Sequence, residues 1–187
     1  MNIPLCFVND DRGNLQINPK VIDIIKKSHN PKLFLCYGKT RLGKSTTLNQ
    51  IIKGNLNSWK FRKTSPFKAQ TSSKSLTVGC DIFGPIKYSE IMRVHSIKAK
   101  IKDDYDLFFC DTEGLYSLYN QSETIIPGIL TLLPTCTISV IMTSDVPDQN
   151  MLENIASEIQ FSQILQTMNP ELKSPFVIIY IRVSSRF

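Results

Sequence analysis

The sequence predicts an α/β fold of three layers, α/β/α, with helices on both faces of a mostly parallel central sheet. Three observations carry that reading. Short apolar runs that look like buried strands alternate with segments of helical period along the chain. One such run, Leu33-Phe34-Leu35-Cys36-Tyr37, stops at Gly38, and a helical pattern opens a few residues later. Another, Asp106-Leu107-Phe108-Phe109-Cys110-Asp111, ends on an acidic residue, at the carboxyl end of a strand where open α/β sheets bind their ligands.

Taken in order, Asn18-Pro19 predicts a helix start, with Asn18 as the cap and Pro19 at the first position. Val21, Ile22, Ile24 and Ile25 give that helix its apolar face, and Asn30-Pro31 ends it. The strand at 33–37 follows. Beyond Ser45, Leu48, Ile51 and Ile52 fall at i, i+3 and i+4, one face of a second helix, and Gly54 stops it. Residues 55–77 are basic and rich in Ser and Thr, with Pro66 inside; a connection this long predicts a mobile functional loop. Strands are expected at Cys80–Tyr88, at Met92–Ile101 (where Val94, Ile97 and Ile101 alternate imperfectly) and at Asp106–Asp111. A helix at about 121–133, a strand at 136–143, a helix at about 149–167 and a strand at Phe176–Ile181 complete the pattern. Thr124 to Ser144 is uncharged and long enough to span a bilayer, but Pro127, Gly128 and Pro134 interrupt it. The expectation there is a buried helix, a break at Pro134 and a buried strand at Thr137–Met142.

A chain of 187 residues, 42% hydrophobic and 20% charged, reads as a single globular domain over 1–187 whose core needs no disulfide or metal. Its five cysteines are scattered without a Cys-x-x-Cys pair, which argues against a zinc site or a disulfide frame and for small buried residues in a reducing compartment. His29 and His95 lack any partner pattern and read as surface or packing residues. Met1-Asn2-Ile3-Pro4-Leu5 has neither the basic start nor the long apolar stretch of a leader, so a cytoplasmic protein is expected. The net charge of +6 is uneven: residues 1–110 hold 19 Lys/Arg against 8 Asp/Glu, residues 111–187 hold 3 against 8. Lys60, Arg62, Lys63, Lys68 and Lys74 form a basic run without an acidic residue. It fits a solvated loop, an electropositive rim around a nucleotide, or a contact with anionic lipid. No nucleic-acid reader motif accompanies it, and no nucleic-acid partner is expected.

The chemistry concentrates at Gly38-Lys39-Thr40-Arg41-Leu42-Gly43-Lys44-Ser45, the full G-x-x-x-x-G-K-[ST] phosphate-binding spacing. A triphosphate needs many donors at short range, and glycines let successive backbone N–H groups turn toward it. Lys44 would reach the β- and γ-phosphates, and the Ser45 hydroxyl would bind Mg²⁺. The triphosphate contacts expected here are Gly38, Lys39, Arg41, Gly43, Lys44, Ser45 and Thr46. Downstream, Asp111-Thr112-Glu113-Gly114 follows a buried strand, which puts Asp111 where the metal is held and the Gly114 backbone N–H near the γ-phosphate. Strand, glycine loop, helix and acidic strand end together predict a P-loop nucleoside-triphosphatase fold.

These motifs, taken together, resemble the G domain of guanylate-binding proteins and atlastins, dynamin-like large GTPases. Arg41 stands where that family carries an arginine in its glycine loop, and Asp111-Thr112-Glu113-Gly114 followed by an apolar residue is similar to its signature. Ser75-Leu76-Thr77-Val78-Gly79 resembles its first switch, and Pro4-Leu5-Cys6-Phe7, Gly13-Asn14-Leu15 and Asn18-Pro19 resemble its N-terminal strand and turn. The likeness covers essentially the whole chain and makes 55–77 the switch I loop. It implies Mg²⁺-dependent hydrolysis of GTP to GDP and phosphate. Thr77, with Ser45 and Asp111, would belong to the Mg²⁺ site, and Ser75 would position the attacking water. Arg41 would be an arginine finger supplied in cis when two G domains meet face to face, worth roughly 10³–10⁵ in rate. Catalysis would thus fall to Arg41, Lys44, Ser75 and Thr77.

The sequence departs from the pattern in three places. Leu115 follows Gly114, where Ras-type GTPases carry a water-orienting Gln. Arg182 fits the arginine of the family's base-reading Arg-Asp pair, but Val183 replaces the aspartate and accepts no hydrogen bond from a guanine edge. The chain also reaches Phe187 soon after that strand, short of the family's helical stalk, so an incomplete G domain is expected, with membrane association belonging only to a longer form. Two alternatives to a GTPase therefore stand: a nucleotide-binding switch with little hydrolysis, and a P-loop ATPase.

Overall fold

Residues 5–11, 14–38, 42–54, 65–68, 79–98, 100–112, 136–143, 146, 149–168, 170 and 176–181 are described by the computed structural model of the chain. Among them are seven strands: β1 (Leu5–Asp11), β2 (Asn14–Ile17), β3 (Lys32–Gly38), β4 (Cys80–Lys87), β5 (Asp106–Thr112), β6 (Cys136–Thr143) and β7 (Phe176–Ile181). Four helices accompany them: α1 (Pro19–Lys27), α2 (Lys44–Lys53), α3 (Tyr88–Val94) and α4 (Gln149–Met168). The strands form one sheet in the order β2-β1-β4-β5-β3-β6-β7. From β5 through β3 and β6 to β7 the pairing is parallel; β4 is antiparallel to both β5 and β1, and β2 to β1. Five strands therefore point one way, and β2 and β4 oppose them.

Alternation along the strands divides the core into two layers. Leu33, Leu35 and Tyr37 of β3 face α1, whose Val21 and Ile25 are buried against them with Phe108 and Cys110 of β5. Cys36 of β3, Phe109 of β5 and Met142 of β6 face the opposite way, against Leu48 and Ile52 of α2 and Ile91 of α3. Ile155 of α4 packs on the α1 side. Helices thus cover both faces, as the sequence predicts. Each fully buried Leu or Phe in these layers contributes about 1.5–3 kcal/mol.

The start of α1 follows its sequence. The Asn18 side chain accepts from the Lys20 N–H at 3.1 Å, and Pro19 occupies the first turn. Its end comes earlier than Asn30-Pro31 suggests: the helix stops at Lys27, Ser28 is the cap, and Asn30 has φ +43°. The strand expected at Met92–Ile101 is a correction. Residues 88–94 form α3, and a turn follows. Val94 and Ile97 are exposed, so the segment offers no apolar strand face to bury. Adjacent Ile91 and Met92 are both buried, which a half-exposed strand does not allow. The first turn is fixed by Asp104, which accepts from the Ser89 N–H at 3.1 Å and from its hydroxyl at 2.6 Å.

Asp106 opens β5 with a second anchor. It accepts from the His29 backbone N–H at 2.7 Å and pairs with Lys87 at 2.8 Å. Burial works to raise its carboxyl, but Lys87 and His29 outweigh that and hold it below its ordinary 3.8. Its contribution to stability is therefore present above pH 3.8 and is lost as pH falls through the lower, folded-state value. Asp106→Asn is expected to cost about 1–2 kcal/mol at pH 7 and progressively less in acid, read from urea unfolding across pH.

Of the cysteines, Cys36, Cys80 and Cys110 are buried in the sheet, whereas Cys6 is exposed, contrary to the expectation for the set. The uncharged stretch ends in β6, inside the sheet between β3 and β7. Among the described residues no helix is long and apolar enough to cross a membrane. The helix expected at about 121–133 lies outside the described residues, as do 55–64 and 69–78. The 65–68 segment between those two stretches is held: Phe67 is 2% exposed, its N–H donates to Asn49 Oδ1 at 3.0 Å, and its carbonyl accepts from Asn49 Nδ2 at 2.8 Å.

Candidate functional site

β3 and α2 deliver the two ends of the glycine loop. Gly38 closes β3 beside Met142 of β6, with φ +137°. A Cβ there would lie 2.1 Å from the Met142 carbonyl oxygen, so only glycine fits the seam between these strands. Gly38→Ala is expected to cost about 3–5 kcal/mol in urea unfolding, from collision and backbone strain together. Gly43 takes φ +84° and ψ +31° at the N-cap of α2, and no side chain caps that end. Its carbonyl accepts from the Thr47 N–H at 2.8 Å, which begins the helical ladder. The first-turn N–H groups, on Lys44, Ser45 and Thr46, have no intrahelical acceptor, and no acidic residue stands in that turn. The geometry suits an incoming anion.

Lys44 is 7% exposed, and its Nζ donates to the Gly38 carbonyl at 3.2 Å, so the ammonium lies back across the loop's own mouth. Ser45 Oγ donates to Asp111 Oδ2 at 2.5 Å, which ties α2 to β5. Thr112 next to Asp111 is turned inward and donates to the Cys36 carbonyl at 3.2 Å, which locks β5 to β3 at the same level. Asp111 itself is 1% exposed. Its second oxygen, Oδ1, is buried and has no hydrogen-bond partner among the described residues.

The electrostatics follow from that burial. Desolvation pushes the Asp111 carboxyl up to about 6; the Ser45 hydrogen bond and the Lys44 ammonium pull it down, and Asp81 adds to the rise. Burial and the Asp111 charge also push the Cys36 thiol up, so it stays protonated and is no nucleophile. A buried carboxylate with one oxygen unsatisfied is a costly arrangement unless something else completes it. Ser45 and Asp111 offer hard oxygen donors, which suit Mg²⁺, and an anion fits the Lys44 end. The described residues hold no cluster of three or more His, Cys, Asp or Glu side chains that could hold a metal ion.

The structure brings together Gly38, Gly43, Lys44, Ser45 and Asp111, with Thr46 in the same helical turn. Lys39, Arg41, Ser75, Thr77, Gly114 and Arg182 lie outside the described residues. Asp81 was missed by sequence reasoning: it stands directly opposite Asp111 in the β4–β5 register. The available signal was one acidic residue inside the otherwise apolar run Cys80–Ile86. Asn49 was missed too, because a polar residue in an amphipathic helix gives no hint of the loop it will hold. No family model matches this chain, and no curated protein matches it.

Proposed function

We propose that the chain is a P-loop GTPase of the guanylate-binding-protein type, hydrolysing GTP to GDP and phosphate with Mg²⁺. The observation that carries this reading is the junction of Ser45 with a buried, half-satisfied Asp111 beside Lys44. A motif matched by chance has no reason to draw a carboxylate from a strand far along the chain onto its own serine.

The chain's residues then have definite work. Lys44 exchanges the Gly38 carbonyl for phosphate oxygens, and the N–H groups at the start of α2 receive the others. Ser45, Asp111 and Thr77 are the residues that would hold Mg²⁺. When bound, the ion neutralises charge that develops on the phosphate oxygens. Ser75 positions the water, since Leu115 offers no group to do so. Arg41 supplies positive charge to the transferring phosphoryl group as two copies meet through their nucleotide faces. Gly114 contributes a backbone N–H, and Lys39 and Arg182 border the nucleotide. The partners on this reading are GTP, GDP and a second copy.

Leu115 and Val183 favour a second reading, a nucleotide-binding switch with little turnover. Calorimetry with GTP and ATP, alongside hydrolysis measured across protein concentration, separates the readings. The GTPase reading expects tighter GTP binding and turnover per molecule that rises with concentration. Arg41→Ala is expected to keep nucleotide affinity and lose that rise. Preference for ATP overturns the guanine assignment, and binding without single-turnover hydrolysis leaves the switch.

A further inference from the structure

Asp81 and Asp111 are register partners on antiparallel β4 and β5. Directly opposed residues in such a pair project from the same face of the sheet. That face is the α2 side: Phe83 and Phe109, two residues from Asp81 and Asp111 on the same strands, both pack in the α2 layer, while Ile82 and Cys110 pack on the other. Asp111 is buried and its Oδ1 has no partner among the described residues, so a buried oxygen on this face lacks a donor or a cation. Asp81 is half-buried, and Lys68 lies close enough to pull its carboxyl down against the rise that burial imposes. Lys68 is placed there by its neighbour Phe67, which Asn49 clamps to α2.

Two carboxylates and a serine hydroxyl on one face form a donor set of hard oxygens with more negative charge than a single Asp provides. An uncompensated pair of carboxylates is unfavourable without cations, and Lys44 acts on Asp111 as Lys68 does on Asp81. We infer that Asp81 is a second carboxylate of the divalent-cation site, holding the ion's water shell across from Asp111. The inference rests on the nucleotide reading and adds a residue to its metal side. Asp81 is a positioning residue here, because it acts through water and not by direct ligation.

The test uses Mn²⁺ as probe on the full chain with GDP, with affinity read from water-proton relaxation. Asp81→Asn is expected to weaken Mn²⁺ binding about 10- to 100-fold, the usual effect of removing an outer-shell partner. Asp81→Glu, which keeps the charge, recovers most of that loss. Wild-type Mn²⁺ affinity in Asp81→Asn, beside a loss in Asp111→Asn, overturns the inference and leaves the nucleotide reading standing. Unchanged affinity in both aspartate variants overturns both. Should Asp81→Asn fail to fold, Asp81→Ser takes its place, and wild-type Mn²⁺ affinity in that variant overturns the inference.

Discussion

On the proposed GTPase reading, Lys44→Ala is expected to lose GTP hydrolysis altogether and to bind the triphosphate about 10²–10³-fold more weakly, since a buried ammonium makes two or three charge-assisted contacts worth about 1.5–3 kcal/mol each, partly replaced by water. Turnover suffers further, because the same charge acts on the phosphoryl group as it transfers. The ligand-free protein also responds. Lys44 is one of the two groups that pull the Asp111 carboxyl down. Without it that carboxyl rises further, and the Gly38 carbonyl loses its donor. The measurements are calorimetry with GTP and single-turnover hydrolysis at saturating enzyme. A variant that hydrolyses GTP at the normal rate removes Lys44 from the mechanism.

Asp111→Asn is expected to act in opposite directions on stability and activity. The carboxyl's value is 3.8 in its ordinary state and about 6 in the fold. A raised value means that the folded state holds the proton more tightly, so the stability from that proton is full below pH 3.8 and gone once pH passes 6. At pH 7.5 the ionised, buried carboxylate therefore costs the ligand-free protein about 3 kcal/mol, an upper figure. Asparagine keeps an acceptor for Ser45 and removes the charge. The variant should melt at higher temperature than the natural protein at pH 7.5, and the difference should shrink toward pH 5. Mg²⁺-dependent hydrolysis should disappear in the same variant. If Asp111→Asn melts lower at pH 7.5 than at pH 5 by the same margin as the natural protein, burial of its charge is not what strains the site.

Much of this was legible because local rules and tertiary packing agree. Asn18-Pro19, the run 33–37 ending in glycine, and Leu48, Ile51 and Ile52 each specify their element without outside help. Failure came where a short segment gives no clear period: within residues 88–94 burial of Ile91 in the α2 layer decides for helix. Within the site, spacing alone pairs Lys44 with Ser45, and the position of Asp111 after an apolar run pairs it with them. Asp81 could not be found that way. Its relation to Asp111 is a matter of register between antiparallel strands, and register depends on the turn and the bulge between Phe83 and Ile86, which the sequence does not spell out. The Asn49 clamp is likewise a contact between residues 18 apart with no periodic signature.

That clamp has a consequence for the switch region. Asn49 engages both backbone groups of Phe67, so the span from Gly54 to Gly79 is tethered near its midpoint to the helix that begins with Lys44. A tether turns one long arc into two of about half the length, and the closure entropy of each is smaller than that of the whole. On the proposed GTPase reading, part of the ordering that a nucleotide would demand of this span is thereby completed during folding, which is preorganisation achieved by one amide side chain.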